Sequence, residues 1–309
     1  MGHVDFVAPA FVGDVGMGQA KVVFTSKRSV LVLVHVWSEN PRSGEVRLCN
    51  RAFAWYVPLK LTGDAIFEVP QLKVDPTDSL ATCLWEYAHS SYTKRRVNGN
   101  PSRGSYLAPN HPLVSKIPLD GEEKTNDDGH DFIFPLLPMK CPPGNEAAPD
   151  YRTVEETEAN LAALVLPSDM LTGDFAAGGM IMKMIDNCAG IVAFKHCRSN
   201  VVTASLDALD FMRPIKSGNL VTLRGKATYA SPKSLEILVT VEVEDLMAGT
   251  RQPANQAILT FVKLDAAGKV QPMPGLIINT RKQHERMRIG HERYEIRKRI
   301  RSAQPIARP

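Results

Sequence analysis

Gly173-Asp174-Phe175-Ala176-Ala177-Gly178-Gly179-Met180-Ile181-Met182-Lys183-Met184-Ile185-Asp186-Asn187-Cys188-Ala189-Gly190-Ile191-Val192-Ala193-Phe194 is the stretch that decides the fold. It reads as a glycine-opened helix, apolar on nearly every side, with one acid inside. A helix apolar all round is a buried helix. A carboxylate taken out of water needs a partner, so Asp186 is either a satisfied core acid or a working one. Lys195-His196-Cys197 closes the helix, and a cation at a helix C-terminus is common structural practice. Cys188 reads as core.

Outward from this helix the chain repeats itself. Sliding it by 205 positions lays Asp5-Phe6 on Asp210-Phe211, Pro9 on Pro214 and Gly13 on Gly218. The register continues ungapped through Lys21 and Lys226, Ser26 and Ser231, Ser29 and Ser234, Val34 and Val239, Gly44 and Gly249, Asn50 and Asn255. So many identities in one register mean two copies of one unit. The second copy has a lead-in, about 155–209, that holds the helix. The first starts at Met1, which aligns with Leu206, and is expected to be strands only, truncated at its N-terminal side. Four parts follow: a first unit over 1–62, a linker with a local helix over 63–153, a complete second unit over 154–277 and a charged tail over 278–309.

Both copies show strand alternation. In the first, Val30, Val32, Val34 and Val36 share one face and Leu31, Leu33, His35 and Trp37 the other, which predicts a strand buried on both faces. In the second, Leu235, Ile237, Val239, Val241 and Val243 point one way and Glu236, Thr240, Glu242 and Glu244 the other. That predicts one buried face, with Leu238 breaking the pattern. Asn40-Pro41-Arg42-Ser43-Gly44 and Met247-Ala248-Gly249-Thr250 make hairpin turns. Between the copies, Leu80, Cys83, Leu84 and Tyr87 fall at helical spacing within Ser79–Arg96. Asp127-Asp128-Gly129-His130-Asp131 lacks the full calcium-loop spacing and reads as a solvated loop. No metal is expected.

Composition bounds the class. With 309 residues, 44% apolar and 23% charged, the chain is an ordinary globular protein with room for two units. No apolar run approaches the ~20 residues of a membrane helix. The N-terminus reads as neither a signal nor a transit peptide. Five scattered cysteines without a CxxC pattern favour reduced thiols. The expected compartment is the cytoplasm, with the mitochondrion left open. Net charge is +4, concentrated near the C-terminus, where mixed signs predict a solvated helix rather than a nucleic-acid arm.

These residues resemble the tandem hotdog-fold acyl-CoA thioester hydrolases, especially the cytosolic long-chain, brain-type members. The similarity rests on Gly178-Gly179, Lys183-Met184-Ile185-Asp186-Asn187-Cys188-Ala189-Gly190, Val202-Thr203-Ala204-Ser205 and Tyr229-Ala230-Ser231-Pro232-Lys233-Ser234. In the first copy it rests on Phe24-Thr25-Ser26-Lys27-Arg28-Ser29 and Trp55-Tyr56-Val57-Pro58. The resemblance implies an α+β hotdog fold, an antiparallel sheet wrapped around one helix, in tandem with an incomplete first copy. It also implies hydrolysis of fatty acyl-CoA at a seam between units. The Gly178-Gly179 helix opening would polarise the thioester oxygen, and Asp186 would act as general base or nucleophile. Ser231, Lys233 and Ser234, with Ser26, Lys27 and Arg28, would meet the coenzyme A nucleotide and phosphates. Coenzyme A enters as part of the substrate, no separate cofactor is implied, and a homo-oligomer of hotdog units is expected. Where the family carries Asn and His ahead of the helix, this chain has Phe175 and Ala177. The alternative reading is an acyl-CoA-binding or regulatory subunit.

Overall fold

The computed structural model describes residues 4–58, 67–97, 150–172, 175–211 and 214–303. The first part contains β1 (Val4–Phe6), β2 (Val15–Ser26), β3 (Ser29–Glu39), β4 (Val46–Tyr56) and α1 (Ser79–Val97). The second opens with β5 (Tyr151–Thr153), α2 (Val154–Thr157), β6 (Ala159–Leu164), β7 (Met170–Thr172) and β8 (Phe175–Ala176). The central helix α3 (Gly178–Cys197) follows, then β9 (Val201–Phe211), β10 (Asn219–Ala230), β11 (Leu235–Asp245) and β12 (Thr250–Leu264). β13 (Val270–Gln271), β14 (Gly275–Ile277) and α4 (Arg281–Ala303) complete the chain. The suspected calcium-like loop at 127–131 lies outside the described residues.

One antiparallel sheet runs through both copies in the order β2-β3-β4-β1-β9-β12-β11-β10-β6, with β13 alongside β12. The copies join where β1 pairs with β9, Val4 opposite Leu206 and Asp5 opposite Ser205. The 205-residue repeat holds in backbone detail. The β2–β3 ladder slips at Val23 and the β10–β11 ladder at Thr228. The next ladders slip at Cys49 and at its counterpart Ala254. Gly13 and Gly218 take positive φ of 96° and 82°, and Gly44 and Gly249 take 69° and 63°. Such angles suit glycine, and Gly44 and Gly249 lie in the turns of the β3–β4 and β11–β12 hairpins.

The core lies between α3 and the second sheet. Ile185, Cys188, Ala189 and Val192 are fully buried against Val221, Leu223, Ile237, Val239 and Leu259. Gly225 lets the helix close in, since a Cβ there would meet Val192 Cγ2 at 2.9 Å and Cys188 Sγ at 3.1 Å. The helix is not buried on every side, as its pattern suggested. Lys183, Asn187, Ile191, Phe194 and Lys195 form an exposed stripe. At its end Lys195 Nζ donates to the Glu158 carbonyl at 2.6 Å.

The other side of the sheet corrects three sequence expectations at once. The predicted helix over 79–96 forms as α1 and packs on the first sheet. Ala88, Trp85 and Tyr92 lie there against Phe24, Leu31 and Trp55. It is no free-standing linker segment. Secondly, α4 is not a solvated helix. Arg286, Met287, Ile289 and Arg293 are buried, and α4 covers the face that carries Glu236. That covering makes β11 buried on both faces, with Glu236 at 1%, Leu238 at 3% and Thr240 at 8% exposure. Thirdly, β3 is the strand with one covered face: Leu31 and Leu33 are buried, while Val32, Val34 and Val36 are half-buried.

The two outer helices are counterparts. α1 shifted by 205 positions falls on 284–302, inside α4. Leu31 then corresponds to Glu236, Ala88 to Arg293, Phe24 to Tyr229, Trp85 to Gly290 and Tyr92 to Arg297. The second unit has an ionic cluster where the first has an apolar and aromatic one. Glu236 Oε2 accepts from Arg293 Nε at 2.9 Å and from Arg297 Nη2 at 3.0 Å, and Arg297 Nη1 also donates to Asp207 at 3.0 Å. Burial pushes the Glu236 carboxyl up, but the two guanidiniums outweigh it and hold it at about 2.

Candidate functional site: an acid on the central helix

Asp186 sits midway along α3, half-buried, on the flank of the helix rather than under it. Its partner is Thr203 on β9, whose Oγ1 donates to Asp186 Oδ1 at 2.7 Å. One carboxylate oxygen is thereby oriented by a neighbouring hydroxyl. Thr203 belongs to a stretch that the sequence singles out by resemblance, but no pattern there assigns it this role. It lies 17 residues beyond Asp186, and only the return of β9 under the helix brings the two together.

Gly178 and Gly179 open α3, with Ala177 as N-cap and no side-chain cap bond. Their N–H groups belong to the unpaired first turn of a helix, where the dipole favours negative charge. A Cβ on Gly179 would meet nothing within 4 Å, so the approach to that backbone is open. The two features of α3 are nevertheless separate. At about 1.5 Å per residue, Asp186 lies roughly 11 Å along the helix from the glycines. One carbonyl group cannot touch both.

The two serine turns repeat each other. Ser231 Oγ and Ser234 Oγ share a hydrogen bond of 2.7 Å, as Ser26 Oγ and Ser29 Oγ do at 2.8 Å. Lys233 N–H and Arg28 N–H each donate to the first serine of their turn, at 3.3 and 3.2 Å. Ser231 and Ser26 are buried with their hydroxyls taken up by the turn itself. Lys233, Lys27 and Arg28 stand exposed. The serines build the turn, and the cations stand outside it in solvent.

Register separates the two turns. Thr203 pairs with Phe261, and Phe261 with Leu235, the residue after Ser234. Two strand spacings put that turn about 10 Å across the sheet from Thr203. On the other side Val30, next to the Ser26–Ser29 turn, pairs with Tyr56. Tyr56 is four residues beyond Ala52, which meets Val4 and through it Leu206. The row therefore ends near position 210, about 20 Å along β9 from Thr203. Ser231, Lys233 and Ser234 share an end of the sheet with Asp186, whereas Ser26, Lys27 and Arg28 lie at the opposite end.

His196 is structural. It is fully buried, its Nε2–H donates to the Pro274 carbonyl at 3.0 Å, and burial pushes its pKa down. Burial raises the Cys188 and Cys197 thiols to about 11, which leaves both as inert core groups. Among the described residues no cluster of His, Cys, Asp or Glu could hold a metal, and no helix is long and apolar enough to cross a membrane.

An antiparallel sheet around a central helix defines the hotdog class, and the sheet of this chain continues through a second copy of the same strands. The thioesterase superfamily model matches residues 2–45 and 173–250. Residues 2–45 shifted by 205 give 207–250, so the second match is the same strands plus the α3 segment ahead of them. The cytosolic acyl coenzyme A thioester hydrolase of Mus musculus is 33% identical over 295 residues, covering 94% of this chain and 68% of that protein. An uncharacterized acyl-CoA thioester hydrolase of Bacillus subtilis is 37% identical over 135 residues, covering 44% of this chain and 78% of that protein. Among solved structures, an acyl-CoA hydrolase from Staphylococcus aureus, in complex with butyryl coenzyme A and coenzyme A, is 33% identical. It covers 50% of this chain and 96% of its own, with a TM-score of 0.47. The chain belongs to the cytosolic acyl coenzyme A thioester hydrolase family.

Proposed function

We propose that this chain hydrolyses fatty acyl-CoA to the free fatty acid and coenzyme A, with Asp186 as general base. The observation that carries the reading is the Thr203–Asp186 hydrogen bond on the central helix of a hotdog unit. A thioester is already reactive, so one base and a polarised carbonyl suffice. The attacking water gives its proton to Asp186 Oδ2 as its oxygen bonds to the acyl carbon. The C–S bond then breaks, and the CoA sulfur takes that proton back from Asp186, which leaves the thiol, the free acid and the regenerated carboxylate. Water is the co-substrate, and no cofactor enters these steps.

The other assignments follow the geometry. Lys233, at the Asp186 end of the sheet, meets a phosphate of coenzyme A, with Ser231 and Ser234 as the frame of its turn. Gly178 and Gly179 stabilise an oxyanion at the other end of α3, on a different acyl group from the one Asp186 serves. Lys27 and Arg28 serve that far side in the same way. The names of the relatives, and the family's resemblance at these positions, support the reading. Those names also favour a cytosolic location.

The test is thiol release from palmitoyl-CoA by the full chain and by Asp186→Asn. The expected loss is about 100-fold or more, within the range of a removed general base. A variant as active as the parent would refute the role of Asp186. Calorimetric binding of coenzyme A without turnover by the parent would replace hydrolysis with the binding-subunit reading.

A further inference from the structure

The hairpin that carries Lys233 is held from the face of the sheet opposite Asp186. Tyr229 on β10 and Glu236 on β11 stand across from each other, with Ala230 and Leu235 next, so the two form the base of the Ser231–Ser234 turn. α4 meets both legs at one point. A Cβ on Gly290 would stand 2.6 Å from Tyr229 Cβ and 2.9 Å from Glu236 Oε1. The residues that follow bond each leg. His291 Nδ1 and Tyr229 Oη share a hydrogen bond of 3.0 Å, and Arg293 Nε donates to Glu236 Oε2 at 2.9 Å. Thr228, where the ladder slips, joins the legs by donating from Oγ1 to Glu236 Oε1 at 2.8 Å. The first unit grips its own turn at the same place by other chemistry. Phe24 and Leu31 are the counterparts of Tyr229 and Glu236. α1 sets Trp85 and Tyr92 on Phe24, with ring centroids 6.0 and 5.3 Å apart, and Ala88 in the cluster of Leu31. The contacts were exchanged and the helix across the base of the hairpin was kept.

We propose that α4 is a strap that sets the Lys233 turn in place for coenzyme A, with Arg293 and Glu236 as its positioning residues. The proposal rests on the reading of Lys233 as a phosphate contact. The hydrogen bonds within the turn, from Ser231 to Ser234, give it its shape. Its seat on the sheet is set by what touches its base and flank. Met273 N–H holds the Pro232 carbonyl at 3.0 Å on one side, and α4 holds both legs from beneath. A small tilt at the base is enlarged at the tip, and a displacement of about 1 Å far from the chemistry can cost on the order of 100-fold. The strap works by position rather than by charge. Arg293 and Arg297 are matched by Glu236 and Asp207, with Arg297 Nη1 on Asp207 at 3.0 Å, so the cluster is neutral as a whole. It lies across the sheet from Asp186, so it bears on binding and leaves the step at the acid alone.

Calorimetric titration with coenzyme A and steady-state kinetics with palmitoyl-CoA test it on the full chain. Hydrogen exchange across the 229–236 hairpin adds a readout that needs no ligand. Arg293→Ala is expected to weaken coenzyme A binding and raise KM about tenfold, with kcat within about twofold of the parent. The same variant is expected to speed exchange in the Ser231–Ser234 turn, while the Ser26–Ser29 turn keeps the parent's rate. Tyr229→Phe keeps the ring and removes only the bond to His291, and is expected to move both readouts the same way by about twofold. Glu236→Leu/Arg293→Ala sets the first unit's pair in this place and is expected to restore both. Because Arg293 acts through Lys233, Arg293→Ala is expected to add nothing to the loss caused by Lys233→Ala. Additive losses overturn the proposal, as does a fall in kcat at unchanged KM, a double variant no better than the single, or a turn whose exchange ignores Arg293. A parent that binds no coenzyme A refutes the reading of Lys233 instead, and exchange in the turn then decides the strap by itself.

Discussion

Arg293→Ala should destabilise the protein by about 3 kcal/mol, whereas Glu236→Leu combined with Arg293→Ala should come within about 1 kcal/mol of the parent. The pair exchanged is the one that the first unit already carries, Leu31 facing Ala88. Glu236 is 1% exposed and Arg293 3%, so removing the guanidinium strands a buried charge. Breaking such a pair from one side costs about 3–5 kcal/mol. Two remaining donors hold the loss to the lower end: Arg297 Nη2 at 3.0 Å and Thr228 Oγ1 at 2.8 Å. In the double variant nothing ionic is stranded, because Arg297 keeps Asp207 at 3.0 Å. A well-packed apolar pair often equals or exceeds the ion pair it replaces. The assay is urea unfolding followed by fluorescence and circular dichroism together. With a slope of about 3 kcal/mol/M, the single variant's midpoint falls by about 1 M and the double's by a third of that or less. A single variant that loses under about 1 kcal/mol, or a double no more stable than the single, would refute the reasoning.

Other outcomes follow from the same geometry. Thr203→Val should lower kcat for acyl-CoA about tenfold with little change in melting temperature, because the methyl group keeps the packing and removes only the 2.7 Å donor to Asp186; steady-state kinetics checks it. Gly225→Ala should cost about 1–3 kcal/mol by overpacking against Val192 and Cys188. Ala20→Gly at the matching position on β2 should cost no more than about 1 kcal/mol by the same unfolding assay. His196 has its pKa lowered from 6.5 by burial, opposed by its bond to Pro274. A depressed group contributes stability that is full above the unfolded value and is lost as pH falls towards the folded one. His196→Gln should therefore flatten the pH dependence of stability just below pH 6.5, where the slope from one proton is at most about 1.4 kcal/mol per pH unit. Glu236, held at about 2, gives the same sign lower down, with stability lost as pH falls from about 4.5 towards 2.

The inner layer was legible because both copies solved it with the same residues. Val34 and Val239, Gly44 and Gly249, Ser26 and Ser231 are identical, and the slips at Val23 and Thr228 follow the same register. A slip of one residue moves every side chain to the other face, so a shared bulge preserves a shared core. Asp186 was legible as an acid in an apolar helix. Its partner was not, since a hydrogen bond between a helix and a strand 17 residues on leaves no period in the sequence. Nor was the internal bonding of the serine turns, where each pair of hydroxyl groups shares a hydrogen bond. The exposed stripe of α3 was in plain view as Lys183, Asn187 and Lys195, outweighed by the apolar residues between them.

The outer layer was illegible for a different reason. α1 and α4 occupy matching positions on matching sheets, yet Ala88 faces Arg293 in the alignment and Trp85 faces Gly290. Identity vanishes because each helix follows its own strand. Where β3 offers Leu31, the helix brings an alanine and aromatic neighbours; where β11 offers Glu236, it brings two arginines. Close approach is arranged in opposite ways too. A Cβ on Gly290 would stand 2.6 Å from Tyr229 Cβ, so that helix comes down onto the strand, while Trp85 fills the gap to Phe24 at 6.0 Å. Mixed charge along a helix ordinarily marks a solvated surface, and alternating Glu and Thr along β11 ordinarily marks a solvent face. Each pattern taken alone points to water. Only together do they describe two polar surfaces that satisfy each other, and the pairing of Glu236 with Arg293 is what turns a charged tail into part of the fold.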